Sequence, residues 1–194
     1  MEQPTHAEIE RLVLFQQIRM NSEANYLKNP HDAENLTRWG GALLEISQYG
    51  NVEESKQMII AAVSKFEEAL EINPRKHDTL WLLGNAFNNQ GILTPDIGDA
   101  QVCFGKARDY LEKAVAESPG NELYLRSLAA TSNAPELHRQ IHKQGIAAGP
   151  ADAKESEKSN SDWIYDICGW IILGVGIFTW VAMAKSNVSP PHSR

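Results

Sequence analysis

Three stretches of the chain repeat one arrangement of proline, apolar and small residues. Pro30, Pro74 and Pro119 stand 44 and 45 residues apart, and each is followed at the same distance by an apolar pair and a small residue. The units read Leu36-x2-Trp39-Gly40, Leu80-x2-Leu83-Gly84 and Leu125-x2-Leu128-Ala129. A second pattern precedes two of the prolines: Ala62-x3-Phe66-x2-Ala69 before Pro74, and Ala107-x3-Leu111-x2-Ala114 before Pro119. Positions i, i+3 and i+4 share one side of a helix, so Leu80, Leu83, Gly84 and Phe87 line one stripe. Small Gly84 and Ala114 let neighbouring helices approach, while Phe66 and Leu111 fill the space between them. Proline separates one pair from the next because it cannot continue a helical ladder. The pattern predicts an all-α domain of packed helix pairs.

This signature resembles the tetratricopeptide repeat, apolar-x2-apolar-Gly-x2-aromatic followed by Ala-x3-Phe-x2-Ala-x4-Pro, except that the usual period is 34 residues. The resemblance implies a helical repeat domain divided as follows. An N-terminal helix or divergent half-repeat occupies 1–30, stretched repeats occupy 31–74 and 75–119, and capping helices occupy 120–146. In the first repeat Gly50 marks the turn, and Asn51 with Glu54 reads as a capping box that opens a long second helix running to about residue 73. In the second, Gly91 is expected to end the first helix, with Thr94 as N-cap and Pro95 as first helical residue. Gly98 and Gly105 weaken the helix that follows, so part of this insertion reads as either helix or loop.

Past residue 146 the pattern changes twice. Residues 147–161 (AAGPADAKESEKSNS) hold no aromatic and no large aliphatic side chain, which predicts a polar tether. Residues 167–184 (ICGWIILGVGIFTWVAMA) carry no charge. At the rise of a helix this run spans roughly 27 Å, close to a bilayer's hydrocarbon core. Trp163 and Trp170 at one end, Trp180 near the other and Lys185 at the close are placed as interfacial residues should be. The expectation is a C-terminal transmembrane helix over 163–184 with a short basic tail at 185–194. The first ten residues hold three glutamates and no Lys or Arg, the reverse of a signal or imported presequence. A tail anchor inserted after synthesis would leave the helical domain in the cytosol. The sequons at Asn35 and Asn187 then read as silent.

Charge follows this layout. The net −7 divides into −6 for residues 1–150, −3 for 151–166 and +2 for the remainder. Acidity disfavours nucleic-acid binding, which needs an excess of Lys and Arg. Two cysteines, Cys103 and Cys168, are too few for a disulfide framework or a Cys-based zinc site. Cys103 reads as a small core hydrophobe one turn before Ala107. His138-x3-His142 puts two imidazoles on one helical side without a third ligand, and both read as solvated helix residues. No catalytic set, no cofactor motif and no metal site is predicted.

A binding module remains. First helices of such repeats line a concave surface, and the stripe opposite the packing stripe holds Thr37, Gly41, Leu44 and Gln48, then Trp81, Asn85, Asn88 and Ile92. Leu44 and Trp81 are expected either to supply apolar contact there or to pack on the N-terminal helix or each other. Asn85, Asn88 and Asn89 would supply amide donors and acceptors.

Stretched repeats, polar tether and C-terminal anchor together resemble one family, the plant-type presequence receptor of the mitochondrial outer-membrane translocase, its twenty-kilodalton subunit. Residues 35–47 (NLTRWGGALLEIS), 64–85 (SKFEEALEINPRKHDTLWLLGN) and 119–125 (PGNELYL) carry the resemblance. It implies a single-pass outer-membrane protein with its N-terminal domain in the cytosol and its tail in the intermembrane space. The implied partners are amphipathic, basic presequences and the other translocase subunits, the channel included. A tail-anchored fission adaptor fits the anchor but not the stretched period. A chaperone-docking repeat needs Lys or Arg on the concave stripe, where Thr37, Gly41, Trp81 and Asn85 stand.

Overall fold

A computed structural model of the chain describes residues 5–143. The tether, Trp163, Trp170, Trp180, Lys185 and the whole anchor segment lie outside the described residues. Among the described residues the elements are α1 (His6–Tyr26), α2 (Ala33–Ile46), a 3-10 turn (Ser47–Tyr49), α3 (Val52–Ile72), α4 (His77–Leu93), α5 (Ile97–Glu117), α6 (Glu122–Thr131) and α7 (Ala134–Lys143). All are helical, and none is long and apolar enough to cross a membrane.

The three prolines act alike. Each lies in a turn, and α2, α4 and α6 begin three residues after theirs, at Ala33, His77 and Glu122. The helix ends ahead of Pro74 and Pro119 are built the same way, Asn73 N–H donating to the Ala69 carbonyl and Ser118 N–H to the Ala114 carbonyl. Side chains cap the starts: Thr5 with Glu8 on α1, Asp32 on α2, Asn51 with Glu54 on α3, Asp96 on α5 and Asn121 on α6. Such caps satisfy N–H groups that have no partner inside the helix.

Glycine and bulk alternate across the helix pairs, as the repeat pattern requires. A Cβ on Gly40 would stand 2.5 Å from Phe66 Cε1, and one on Gly84 would stand 2.6 Å from Leu111 Cγ. Phe66 and Leu111 are fully buried in these notches, which the two repeats place at equivalent positions. The predicted stripe Leu80, Leu83, Gly84 and Phe87 is buried throughout.

The second insertion corrects two expectations. Gly91 does not end α4, which continues to Leu93; Gly91 is small because the Phe104 ring occupies the space where its Cβ would be, 2.5 Å from Cε1. Thr94 is the C-cap of α4 rather than the N-cap of α5, its hydroxyl donating to the Gln90 carbonyl at 2.7 Å. Asp96 takes the N-cap role, its carboxylate accepting from Asp99 N–H at 2.9 Å, and α5 runs unbroken through Gly98 and Gly105. Tertiary packing on α4 outweighs the modest helix penalty of two glycines.

The histidine pair is not solvated either. His138 is buried, and its Nε2 donates to the Thr94 carbonyl at 2.7 Å. His142 Nε2 donates to the Ile92 carbonyl at 3.0 Å, and the two rings lie 4.2 Å apart. Together they close the C-terminal end of α4, whose last carbonyls need donors. Cys103 is half-buried, and its neighbour Phe104 takes the core position; burial pushes the Cys103 thiol up.

Candidate functional site

The stripe predicted to line a groove becomes a seam between successive first helices. Thr37 Oγ1 and Thr79 Oγ1 lie 2.7 Å apart and join α2 to α4. Asn88 Nδ2 donates to Thr131 Oγ1 at 2.7 Å and joins α4 to α6. Trp81 is 1% exposed and stacks on Tyr124 at 5.6 Å between ring centroids. Burial, and then the nearby Asp78 carboxylate, pushes the Tyr124 hydroxyl up to about 12; the same oxygen lies 2.8 Å from His77 Nδ1.

Three of the seven predicted groove residues are buried in this conformation. Leu44, at 6% exposure, and Trp81 are core residues, so neither can floor an apolar groove. Thr37 is buried as well. Gly41, Asn85, Asn88 and Asn89 stay partly exposed, and the space above Gly41 is open. Asn85 Nδ2 and Asn88 Oδ1 have no hydrogen-bond partner among the described residues. Both of these atoms are buried, and Asn88 Nδ2 is engaged by Thr131, so little of the predicted stripe is free amide surface.

The missing apolar surface is on α1. Its inward side carries Leu12, Phe15, Ile18 and buried Ser22. Its outward side exposes Ile9 (46%), Val13 (62%) and Met20 (56%). The signal was present in the sequence as a second set of apolar residues at spacings of four and seven, beside the set that packs inward. It is easily absorbed into a generous core stripe, because nothing in the sequence states where the helix packs.

Polar contacts fix α1 against the repeats. Asn35 Nδ2 donates to the Ser22 carbonyl at 2.8 Å, which also seals that sequon asparagine in the interior. Arg11 Nη2 meets Glu45 Oε2 at 2.7 Å. Burial pushes the Glu45 carboxyl up, and the Arg11 guanidinium only partly offsets this. At the far end the Tyr26 hydroxyl donates to Glu68 Oε1 at 2.6 Å, and Lys65 Nζ lies 4.7 Å from both the Tyr26 and Trp39 rings. Burial would raise Glu68, but hydrogen bonds from Lys65 and Tyr26 hold its carboxyl below the usual range.

Among the described residues no group of three His, Cys, Asp or Glu is arranged to hold a metal ion. The site offers apolar and acidic contact on rigid helices, the chemistry of recognising another helix.

Comparison with known proteins agrees with that chemistry. A family described as the plant-specific mitochondrial import receptor subunit TOM20 matches residues 9–185. Among relatives from Arabidopsis thaliana, mitochondrial import receptor subunit TOM20-3 is 44% identical, the match covering 97% of this chain and 99% of that protein. Subunit TOM20-4 is 47% identical over 96% of this chain and 97% of its own length. Subunit TOM20-2 is 42% identical over 97% and 98% respectively.

Proposed function

We propose, from the premise that the chain belongs to the plant-specific TOM20 family of mitochondrial import receptor subunits, that its helical domain captures amphipathic presequences on the cytosolic face of the outer membrane. The chain is an import receptor subunit. The observation that carries the reading is the extent of the family match, which runs from α1 through the repeats and across the uncharged 167–184 segment.

A presequence would lay its apolar side on the receptor and direct its Arg and Lys residues to carboxylates. The acidic balance of residues 1–150 suits that partner and repels anionic ones. Affinity at or weaker than micromolar, roughly 8 kcal/mol, would let cargo pass onward to the channel. The family role is capture and handover, with no bond made or broken by the receptor.

Segment 163–184 would anchor the chain by a single span and leave the short basic tail in the intermembrane space. A fluorescent protein fused ahead of residues 147–194 is expected to label mitochondria; labelling of the endoplasmic reticulum would remove the anchor from this account.

The binding test uses the full chain in phosphatidylcholine nanodiscs, titrated with a fluorescent amphipathic, Arg-bearing presequence peptide and with its scrambled, non-amphipathic control. Saturable anisotropy with the first and none with the second is expected. Equal binding of both would overturn cargo recognition.

A further inference from the structure

We propose that the presequence docks on the outward stripe of α1, its apolar side on Ile9, Val13 and Met20 and its cationic residues on Glu10 and Glu23. This inference rests on the presequence-receptor reading and assigns its contact surface.

Three observations point there. First, the terminal helix of a helical repeat array ordinarily presents a polar outer side, because nothing follows to cover it. Here α1 instead exposes four large apolar side chains, Ile9, Val13, Leu14 and Met20, and two polar contacts hold it on α2: Asn35 to Ser22 and Arg11 to Glu45. Second, their spacing is helical. Ile9, Val13 and Met20 fall within a narrow arc of the helix and span twelve residues, about 16 Å or three turns. That length matches the apolar side of a short amphipathic helix lying alongside. The other exposed apolar residues form no row of three: Leu14 lies about 100° or more around α1 from this arc, and Leu27 follows the helix. Val52 and Ile60 on α3 have Lys56 between them, with Ile72 on another side. Ile97 and Val102 on α5 point in different directions, and Leu125 stands alone on α6.

Third, charge is complementary. Glu10 and Glu23 flank the stripe on opposite sides, with side chains 69% and 54% exposed. Glu10 meets only His6, itself almost fully exposed, and Glu23 meets Arg19 at 3.7 Å. Both carboxylates remain accessible to a basic partner. The interior aromatics offer nothing comparable, since Trp81 is already engaged with Tyr124.

The test titrates the full chain in phosphatidylcholine nanodiscs with the fluorescent presequence peptide and its scrambled control. Val13→Ser/Met20→Ser should weaken peptide binding by about tenfold or more, since apolar anchors dominate such contacts. Glu10→Gln/Glu23→Gln should weaken it by a few fold and flatten its salt dependence, as exposed charges do. Asn85→Ala should change it by less than about twofold. Hydrogen exchange on the unmodified chain gives a readout independent of any variant's folding: peptide should slow exchange in α1 and leave α4 unchanged.

Full affinity in the Val13→Ser/Met20→Ser variant, with the scrambled peptide still rejected, overturns the docking surface and leaves the receptor reading intact. Protection confined to α4 does the same. A drop from paired to single copies in light scattering, with peptide affinity unchanged, also overturns it, because the stripe would then be a contact between copies. Failure of the unmodified chain to distinguish the two peptides removes the receptor reading and the surface together.

Discussion

The indole Nε1 of Trp81 on α4 donates to Ser127 Oγ on α6 at 2.8 Å, across a contact that a groove-lining tryptophan would not make. The bond places Trp81 in the joint between consecutive first helices. Trp81→Ala should therefore destabilise the fold by about 3–5 kcal/mol, the range for truncating a buried aromatic. Trp81→Phe should lose less, mainly the hydrogen bond to Ser127, about 1 kcal/mol. Thermal unfolding of the full chain followed by circular dichroism measures both. Unchanged unfolding alongside lost peptide binding would return Trp81 to the binding surface.

Adjacent glycines make a sharper comparison. Gly40→Ala drives a methyl into the Phe66 ring, while Gly41→Ala enters open space. The first should cost about 1–3 kcal/mol through overpacking. The second should stabilise α2 by up to about 1 kcal/mol, because alanine is the better helix former. If the two substitutions shift the unfolding temperature equally, the notch at Gly40 is not as tight as described.

Fold was largely legible because the repeat writes its packing rule twice, as Gly40 with Phe66 and Gly84 with Leu111. The prolines and the Asn51–Glu54 cap are local signals, and local signals survive without tertiary context. The Gly91 and Thr94 readings failed for the opposite reason. A buried glycine facing Phe104 and a helix-ending glycine look alike in sequence, and only the long-range partner separates them. The candidate site was less legible still. Trp81 to Ser127, Asn88 to Thr131 and Thr37 to Thr79 each join residues about one repeat apart, with separations of 46, 43 and 42. The period was readable, but the side-by-side contact of first helices that turns those positions inward was not.

Alkaline pH should loosen the α4–α6 joint. Burial raises Tyr124 to about 12, so the folded state favours its protonated form. This contribution is fully present below the unfolded tyrosine's ordinary value and is lost as pH rises from about 10 to 12. Tyr124→Phe should remove that loss, at the expense of the contact with His77. Unfolding midpoints across this range test it; an identical alkaline decline in both proteins would contradict the assignment.

Acidification acts in the other direction at the α1–α2 contact. Glu45 is raised by burial, so its ionised form weakens the fold, and lowering pH from neutral toward the ordinary glutamate value should recover stability from this group. Glu45→Gln should abolish that gain. Comparing the pH slopes of stability between pH 7 and about 4.5 isolates the effect. A Glu45 that instead loses stability on acidification would mean that Arg11 outweighs burial.

The central claim is that this chain receives presequences at the mitochondrial surface. Its most direct measurement is photocrosslinking of a precursor arrested on isolated plant mitochondria, with the photoreactive residue placed on the apolar side of its presequence. The account predicts an adduct containing this chain, lost when the presequence is scrambled and lost again when the mitochondrial surface is shaved with protease. Adducts with other surface proteins alone, under conditions in which the precursor is bound and later imported, would contradict it.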